Sequence, residues 1–274
     1  MLADLLAAMV ASAKKSADER ERLIAPAELD RQMAAHQPNG QRFRETLKTP
    51  GIRIIAECKR RSPSRGVLRQ SFDPAAIAAG YQRAGAAAIS VLTEPSFFDG
   101  SIEHLRAVRA AVAVPVLRKD FIVRPFQVAE ARAAGADAVL LIVAALDDLK
   151  LMRLIELAVS LGLAPLVEVH SREELTRAQQ AGADIIGVNS RNLKTLDVQT
   201  AIFEELILGI PNGTVAVAES GLRTADDLRQ LRAIGYDGFL IGERFMTERD
   251  PGSALEALRS AAGAELEEIG RAHV

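Results

Sequence analysis

Ionisable and amide side chains stand at the ends of apolar runs throughout this sequence. Glu57 and Lys59 close the run from Ile54, and Lys119 follows Val116-Leu117-Arg118. Glu168 ends the run from Ala164, Asn189 the run from Ile185, and Glu219 with Ser220 the run from Val215. A strand that ends in such a group carries it to the edge of a core, where desolvation and neighbouring charge push pKa values apart. A mixed set of carboxylates and ammonium groups can then protonate one atom and deprotonate another at neutral pH, with no metal required. Side chains alternate along a strand, so Glu57 and Lys59 share a face with Ile55, while Cys58 points the other way with Ile54 and Ala56. Taken alone, Glu57 and Lys59 read equally well as a structural ion pair. Lys119, Glu168 and Glu219 arriving at the same rim turn the balance towards proton-transfer chemistry.

Two glycine turns suggest an anchor for an anion. ESGLRTADDL places Ser220 and Gly221 between a strand and a helix, and LIGERF places Gly242 after the last strand. Turns of this kind bind phosphate through backbone N–H groups. Ser62, Arg60, Arg61 and Arg65 on the first loop, and Arg191 further on, add hydrogen-bonding capacity and positive charge. A small anionic substrate is the economical expectation.

The elements that position these groups come from a repeat. AGAAAISVL from Ala84, AGADAVLLI from Ala134, AGADIIGVN from Ala181 and IGYDGFLIG from Ile234 are four versions of one phrase. In each, a glycine ends a helix in the left-handed conformation and a short turn leads into a buried strand. Glycines 85, 135, 182 and 235 lie 50, 47 and 53 residues apart, room for two strand-helix units each. The intervening strands are expected at Arg53 to Lys59, Val114 to Arg118, Ala164 to Val169 and Thr214 to Glu219. Helices are expected from Asp73, Ser101, Arg124, Asp147, Ser171 and Thr224, most of them with an N-capping residue type. Eight alternating units favour a closed (βα)8 TIM barrel, an α/β fold with its functional groups at the carboxyl ends of the strands. A doubly wound sheet is the alternative, but its G-x-G-x-x-G turn is missing. Residues 1 to about 50 read as an N-terminal helical extension. One amphipathic helix there shows Leu2, Leu5, Leu6, Met9 and Val10 on one stripe, and another lies around Pro26 to Ala35. The expectation is one domain spanning residues 1–274, with 1–50 as its extension.

Composition bounds the function class. A net charge of −2 argues against nucleic-acid binding, and the longest apolar run, Ala138 to Leu146, falls short of the roughly 20 residues of a membrane span. The apolar N-terminal segment lacks a leading basic region and is interrupted by Asp4, unlike a signal peptide. The lone cysteine, Cys58, is expected to be a packing thiol in a reducing, cytoplasmic setting. His36, His104, His170 and His273 show no metal-ligand spacing and are expected to be solvent-facing or in loops. No metal and no cofactor is expected, and the protein should be a monomer or a weak homodimer.

The phrases IIAECKRRSPSRG, LTEPSFFDGS, VLRKDFIV, PLVEVH, IGVNSRNLKTLDV, VAESG and FLIGERFM occur in that order. Together they resemble the motif set of the indole-3-glycerol phosphate synthase family, over nearly the whole chain. That family converts 1-(2-carboxyphenylamino)-1-deoxyribulose 5-phosphate to indole-3-glycerol phosphate, carbon dioxide and water, in tryptophan biosynthesis. The resemblance implies that Lys119 is the general acid of ring closure, and that Glu57, Lys59 and Glu168 serve proton transfer and charge stabilisation. It implies that Asn189 and Ser220 hydrogen-bond the substrate, with Glu219 beside them at the rim. Ser62, Gly221, Gly242 and Glu243 match the phosphate region, Glu243 through its backbone. Phe98, Phe121, Arg191 and Leu240 match the walls around the aromatic ring and its carboxylate. No fused second barrel is expected. The alternatives are another phosphate-binding barrel, such as phosphoribosylanthranilate isomerase, or a non-catalytic barrel that binds a phosphorylated metabolite. The isomerase would want an inward cysteine base on the first strand, where parity turns Cys58 outward.

Overall fold

A computed structural model describes residues 5–193 and 195–272; Leu2 and His273 lie outside the described residues. Eight strands form the inner layer: β1 Ile54–Cys58, β2 Ala88–Leu92, β3 Val116–Lys119, β4 Ala138–Ile142, β5 Ala164–Val169, β6 Ile185–Asn189, β7 Val215–Glu219 and β8 Gly238–Ile241. All eight pair in parallel with their sequence neighbours, and β8 returns to β1, so the sheet is a closed barrel. Strand β3 begins two residues later than its apolar run suggests. Pro115 has no N–H to give to the ladder, so regular pairing starts at Val116.

The repeated glycines end helices as expected, with φ of 85° at Gly85, 94° at Gly135, 82° at Gly182 and 119° at Gly235. Helices α4 Pro74–Arg83, α6 Ile102–Ala111, α7 Pro125–Ala133, α8 Asp148–Ser160, α9 Arg172–Gln180, α10 Ala201–Ile207, α11 Ala225–Ile234 and α13 Pro251–Ala272 follow the strands. Short helices α5 Pro95–Phe98 and α12 Glu243–Met246 interrupt the loops after β2 and β8. Asp73, Ser101, Asp147, Ser171 and Thr224 each accept a backbone N–H at a helix start. That contact satisfies one of the otherwise orphaned N–H groups there.

The N-terminal helices do more than decorate. In α1 Leu5–Leu23, Leu6, Met9, Ala13 and Ala17 are buried. Helix α2 Pro26–Ala35 packs on α7. A third helix, α3 Gly40–Lys48, which the apolar pattern did not signal, puts Phe43 and Leu47 into the cluster inside the barrel. Its first residue can only be glycine: a Cβ at Gly40 would lie 2.8 Å from the Leu163 carbonyl carbon, just before β5. Thus α3 closes the bottom of the barrel, where strands begin, and α1 lies over the top, where they end. Between them the interior is filled by Ile55, Leu117, Leu140, Leu166, Val217 and Leu240, while Ile54, Cys58, Val91 and Val167 pack outward against the helices. No described helix is long and apolar enough to cross a membrane.

Candidate active site

Parity and register together gather the strand-end groups. In β1 all five residues are buried, and inward Glu57 is opposite Ser90 of β2. Leu92 pairs with Lys119, Ile142 with Glu168, and Asn189 with Glu219, so the polar ends of β1, β3, β5, β6 and β7 reach the same rim. The result is a cavity of about 600 Å³ over the barrel. The strand-end, phosphate-region and wall residues named above line it: Glu57, Lys59, Ser62, Phe98, Lys119, Phe121, Glu168, Asn189, Arg191, Glu219, Ser220, Gly221, Leu240, Gly242 and Glu243.

The charged floor has two parts. Lys59 Nζ lies 2.6 Å from Glu57 Oε2. Lys119 Nζ sits between two carboxylates, 3.1 Å from Glu168 Oε2 and 2.9 Å from Glu219 Oε2. Burial alone would lower the Lys119 pKa, but Glu168, Glu219 and Glu57 reverse this and hold it above its usual value. Lys119 is therefore charged at neutral pH and suited to donate a proton, not to take one. Burial would likewise raise the Glu168 pKa, yet Lys119 and His170 hold it below the usual carboxylate range. For Glu219, burial wins; with Glu168 beside it and Lys119 opposing, it is pushed up to about 7. Two carboxylates on one ammonium thus acquire different roles: Glu168 stays ionised, and Glu219 can hold or release a proton near neutrality.

Two glycines make room for these carboxylates, and only the folded chain reveals it. A Cβ at Gly187 of β6 would collide with Glu219 Oε1 and lie 3.2 Å from its Cδ. A Cβ at Gly242 would collide with Glu57 Oε2 and lie 2.9 Å from Glu57 Cβ. Gly242 therefore seats Glu57 whatever it does for an anion. The Gly187→Ala variant is expected to displace Glu219 and lower kcat/KM by ~10–100-fold, the scale of an ångström-sized misplacement. An unchanged kcat/KM in steady-state assays would show that the position of Glu219 does not matter.

At the other pole, Ser220 and Gly221 take successive left-handed conformations, φ 68° and 74°. Such φ at a serine costs of order 1–3 kcal/mol and persists only where the surroundings impose it. Here Ser190 Oγ donates to the Ser220 carbonyl at 3.1 Å, and a Cβ at Gly221 would lie 2.7 Å from Val198 Cγ1. Ser62, Arg223 and Arg244 line the same pole. The Glu243 carboxylate is turned to Arg65 at 3.1 Å and Arg191 at 3.6 Å, which neutralises it. Arg60 and Arg61 do not join them: Asp99 holds both, at 3.0 and 3.9 Å, outside the cavity. The first loop folds back as a two-stranded ribbon, Arg61–Ser62 on Gly66–Val67.

Between the poles lie apolar walls. Phe98 and Phe121 face each other with ring centroids 6.4 Å apart. Met9, Leu140, Ile142 and Leu193 also line the wall, though nothing at strand ends or turns pointed to them in the sequence. Glu94 supports Phe98 from behind, accepting the N–H groups of Ser96 and Phe97 and the Ser12 hydroxyl of α1.

One histidine expectation is met only in part and another needs correcting. His170 lies in the bend after β5, as expected, but its ring is mostly buried against Glu168 and Glu174. Two residues beyond Glu168, it shares that residue's inward face, a parity signal already present in PLVEVH. His104 is half-buried and stacks edge-on against Phe72. Cys58 behaves as expected: it packs outside the barrel, Sγ 3.9 Å from the Pro74 carbonyl, and burial with nearby Glu57 pushes the thiol pKa up.

A closed barrel whose mouth joins a buried acid-base cluster, an aromatic wall and a glycine-turn pole has the build of a small-molecule enzyme. The family model for indole-3-glycerol phosphate synthase matches residues 6–258. A Mycolicibacterium smegmatis indole-3-glycerol phosphate synthase is 48% identical over 259 residues, covering 94% of this chain and 95% of the relative. The Mycolicibacterium gilvum protein of the same name is 55% identical over 215 residues, 78% of this chain and 79% of that one. The chain belongs to the indole-3-glycerol phosphate synthase family. Among solved structures, 3-hexulose-6-phosphate synthase from Salmonella typhimurium superposes with a TM-score of 0.62 at 13% identity, covering 77% of this chain and 98% of that one. Thiamine phosphate pyrophosphorylase from Pyrococcus furiosus gives 0.60 at 21%, covering 80% and 96%. At these identities the likeness is one of fold alone.

Proposed function

We propose that this protein is a carboxy-lyase of tryptophan biosynthesis that converts 1-(2-carboxyphenylamino)-1-deoxyribulose 5-phosphate to indole-3-glycerol phosphate. One observation carries the reading of the site: Lys119, charged and held between Glu168 and Glu219, stands over a cavity with an aromatic wall and an anion pole. The phosphate lies at Ser62, Gly221, Gly242 and the backbone of Glu243, and the aromatic ring lies against Phe98, Phe121 and Leu240 with Arg191 towards its carboxylate. The ring carbon bearing the carboxyl attacks the ketone, and Lys119 gives its proton to the carbonyl oxygen, which becomes a hydroxyl. The carboxyl leaves as carbon dioxide, and its bonding electrons return to the ring system. Dehydration then needs a donor at the hydroxyl and an acceptor for the proton lost from the substrate. Lys59, paired with Glu57, is the second ammonium and serves as donor; ionised Glu168 is the acceptor. Asn189 and Ser220 hold the substrate's polar groups.

The outward, buried position of Cys58 tells against the isomerase alternative, which needs a cysteine base inside the barrel. A purely binding barrel would have no use for a buried carboxylate near pH 7 beside one held ionised. The α1 roof and α3 floor share side-chain clusters with the barrel, and we read residues 1–274 as one domain working as a monomer or weak homodimer in the cytoplasm. Incubation of the purified protein with the carboxyphenylamino-deoxyribulose phosphate should develop indole fluorescence; folded protein that develops none overturns the assignment.

A further inference from the structure

A third cation stands outside the main cavity and touches one of its carboxylates. Glu57, Glu168 and Glu219 face two ammonium groups, Lys59 and Lys119. His170 supplies the third cation. Its Nε2 lies 3.3 Å from Glu168 Oε1, while Lys119 holds Oε2 of the same carboxylate at 3.1 Å. Each oxygen of Glu168 therefore has one cationic partner, and the carboxyl plane is fixed between β3 and the end of β5. The imidazole is itself oriented: Nδ1 lies 3.2 Å from Glu174 Oε2 on α9, and the same oxygen accepts the His170 backbone N–H at 2.8 Å.

Resting on the reading of Glu168 as the proton acceptor, we propose that His170 is a positioning residue for the reaction, a protonated strut that holds Glu168 ionised and aimed at the substrate from behind. His170 does not line the main cavity; it lines a smaller cavity of about 260 Å³ beside it, between the ends of β5 and β6 under Leu6 of α1. It can thus act on Glu168 without touching substrate. The groups that face the ring are Glu168 from β5 and Glu174 from α9, with Lys119 and Glu219 beyond Glu168. The other described residues of the small cavity, among them Ala144, Asn189, Ser190, Asn192 and Gln199, are uncharged. Burial works against protonation of the imidazole, but the charge of Glu168 at 3.3 Å and the hydrogen bond and charge of Glu174 prevail and push its pKa up to about 9. The ring is therefore cationic across the neutral range, and its charge reaches Glu168 through little solvent.

Two measurements test the pair. In NMR titration of the imidazoles, with the His170 resonance assigned by its loss in His170→Gln, His170 should titrate well above the ordinary histidine value, and Glu168→Gln should bring it down. In steady-state assays, His170→Phe should lower kcat/KM by about tenfold at neutral pH and shift the acid limb of its pH profile upward, because Glu168 becomes easier to protonate. The ratio of wild-type to variant kcat/KM should shrink as the wild-type imidazole loses its proton above about pH 9. His170→Gln, which keeps a neutral donor, should recover part of the neutral-pH rate but retain the shifted acid limb. A His170 that titrates as an ordinary histidine, or an acid limb unmoved in His170→Gln, overturns the proposal while wild-type turnover stands. Wild-type protein that forms no indole product overturns the functional reading instead, and with it the catalytic meaning of the pair.

Discussion

Replacing Lys119 with methionine is expected to lower kcat by at least ~100-fold, the usual scale for a general acid-base group. Methionine keeps the apolar stem and removes the ammonium that lies within hydrogen-bonding distance of both Glu168 and Glu219. The two carboxylates, 2% and 1% exposed, are then left side by side with His170 as their nearest described cation. Like charges that close cannot both ionise, so one carboxyl takes a proton in the neutral range. The variant should therefore lose the proton donor and also disturb the acceptor, and its residual rate should not return at any pH. Rate measurement on protein verified as folded by circular dichroism decides the matter. A loss of only a few-fold would move the donor role elsewhere, with Lys59 first in line.

The second large effect is on stability. Arg118→Met is expected to destabilise the protein by about 3–5 kcal/mol, because it breaks a buried ion-pair network from its centre. Arg118 is fully buried, and its guanidinium meets Asp120 at 2.9 Å, Glu130 at 2.9 Å, the Thr93 hydroxyl at 3.1 Å and the Gln127 carbonyl at 2.7 Å. Removing it leaves two carboxylates in low dielectric, with only Arg20 of α1 still on Glu130. The network also bears on the site. Asp120 follows Lys119 and accepts the Phe121 N–H at 2.8 Å, so it holds the segment that delivers the proton donor and one aromatic wall. Chemical denaturation should show the midpoint falling, and adding Asp120→Asn should recover part of the loss by removing a buried carboxylate whose paired cation is gone. A midpoint unchanged in Arg118→Met would mean that the network contributes nothing net.

Much of this was legible in the chain because it rests on local rules. Parity separated Glu57 and Lys59 from Cys58, and the left-handed glycines at 85, 135, 182 and 235 divided the chain into its units. The strand-end groups converge because a closed parallel barrel sends every carboxyl end to one rim. What was not legible depends on partners distant in sequence. Helix α3 presents only Phe43 and Leu47 to the barrel, too few to announce an amphipathic stripe, and its glycine start has meaning only against Leu163. Gly187 looks like any glycine in a strand until Glu219, at the end of the next strand, is seen to occupy the space of its missing side chain. Arg118 ends an apolar run and faces outward by parity, but the carboxylate that best explains its burial, Glu130, sits on the next helix. Arg60 and Arg61 misled for the converse reason: their charge was visible and their partner, Asp99, was not.

The most direct test of the account is the fate of the substrate's carboxyl carbon. Purified protein is given 1-(2-carboxyphenylamino)-1-deoxyribulose 5-phosphate labelled at that carbon, with no metal or nucleotide added. The account predicts labelled carbon dioxide and indole-3-glycerol phosphate in equal amounts, and neither above background with Lys119→Met. Indole absent from a reaction with well-folded wild-type protein, or label retained in the product, would contradict it.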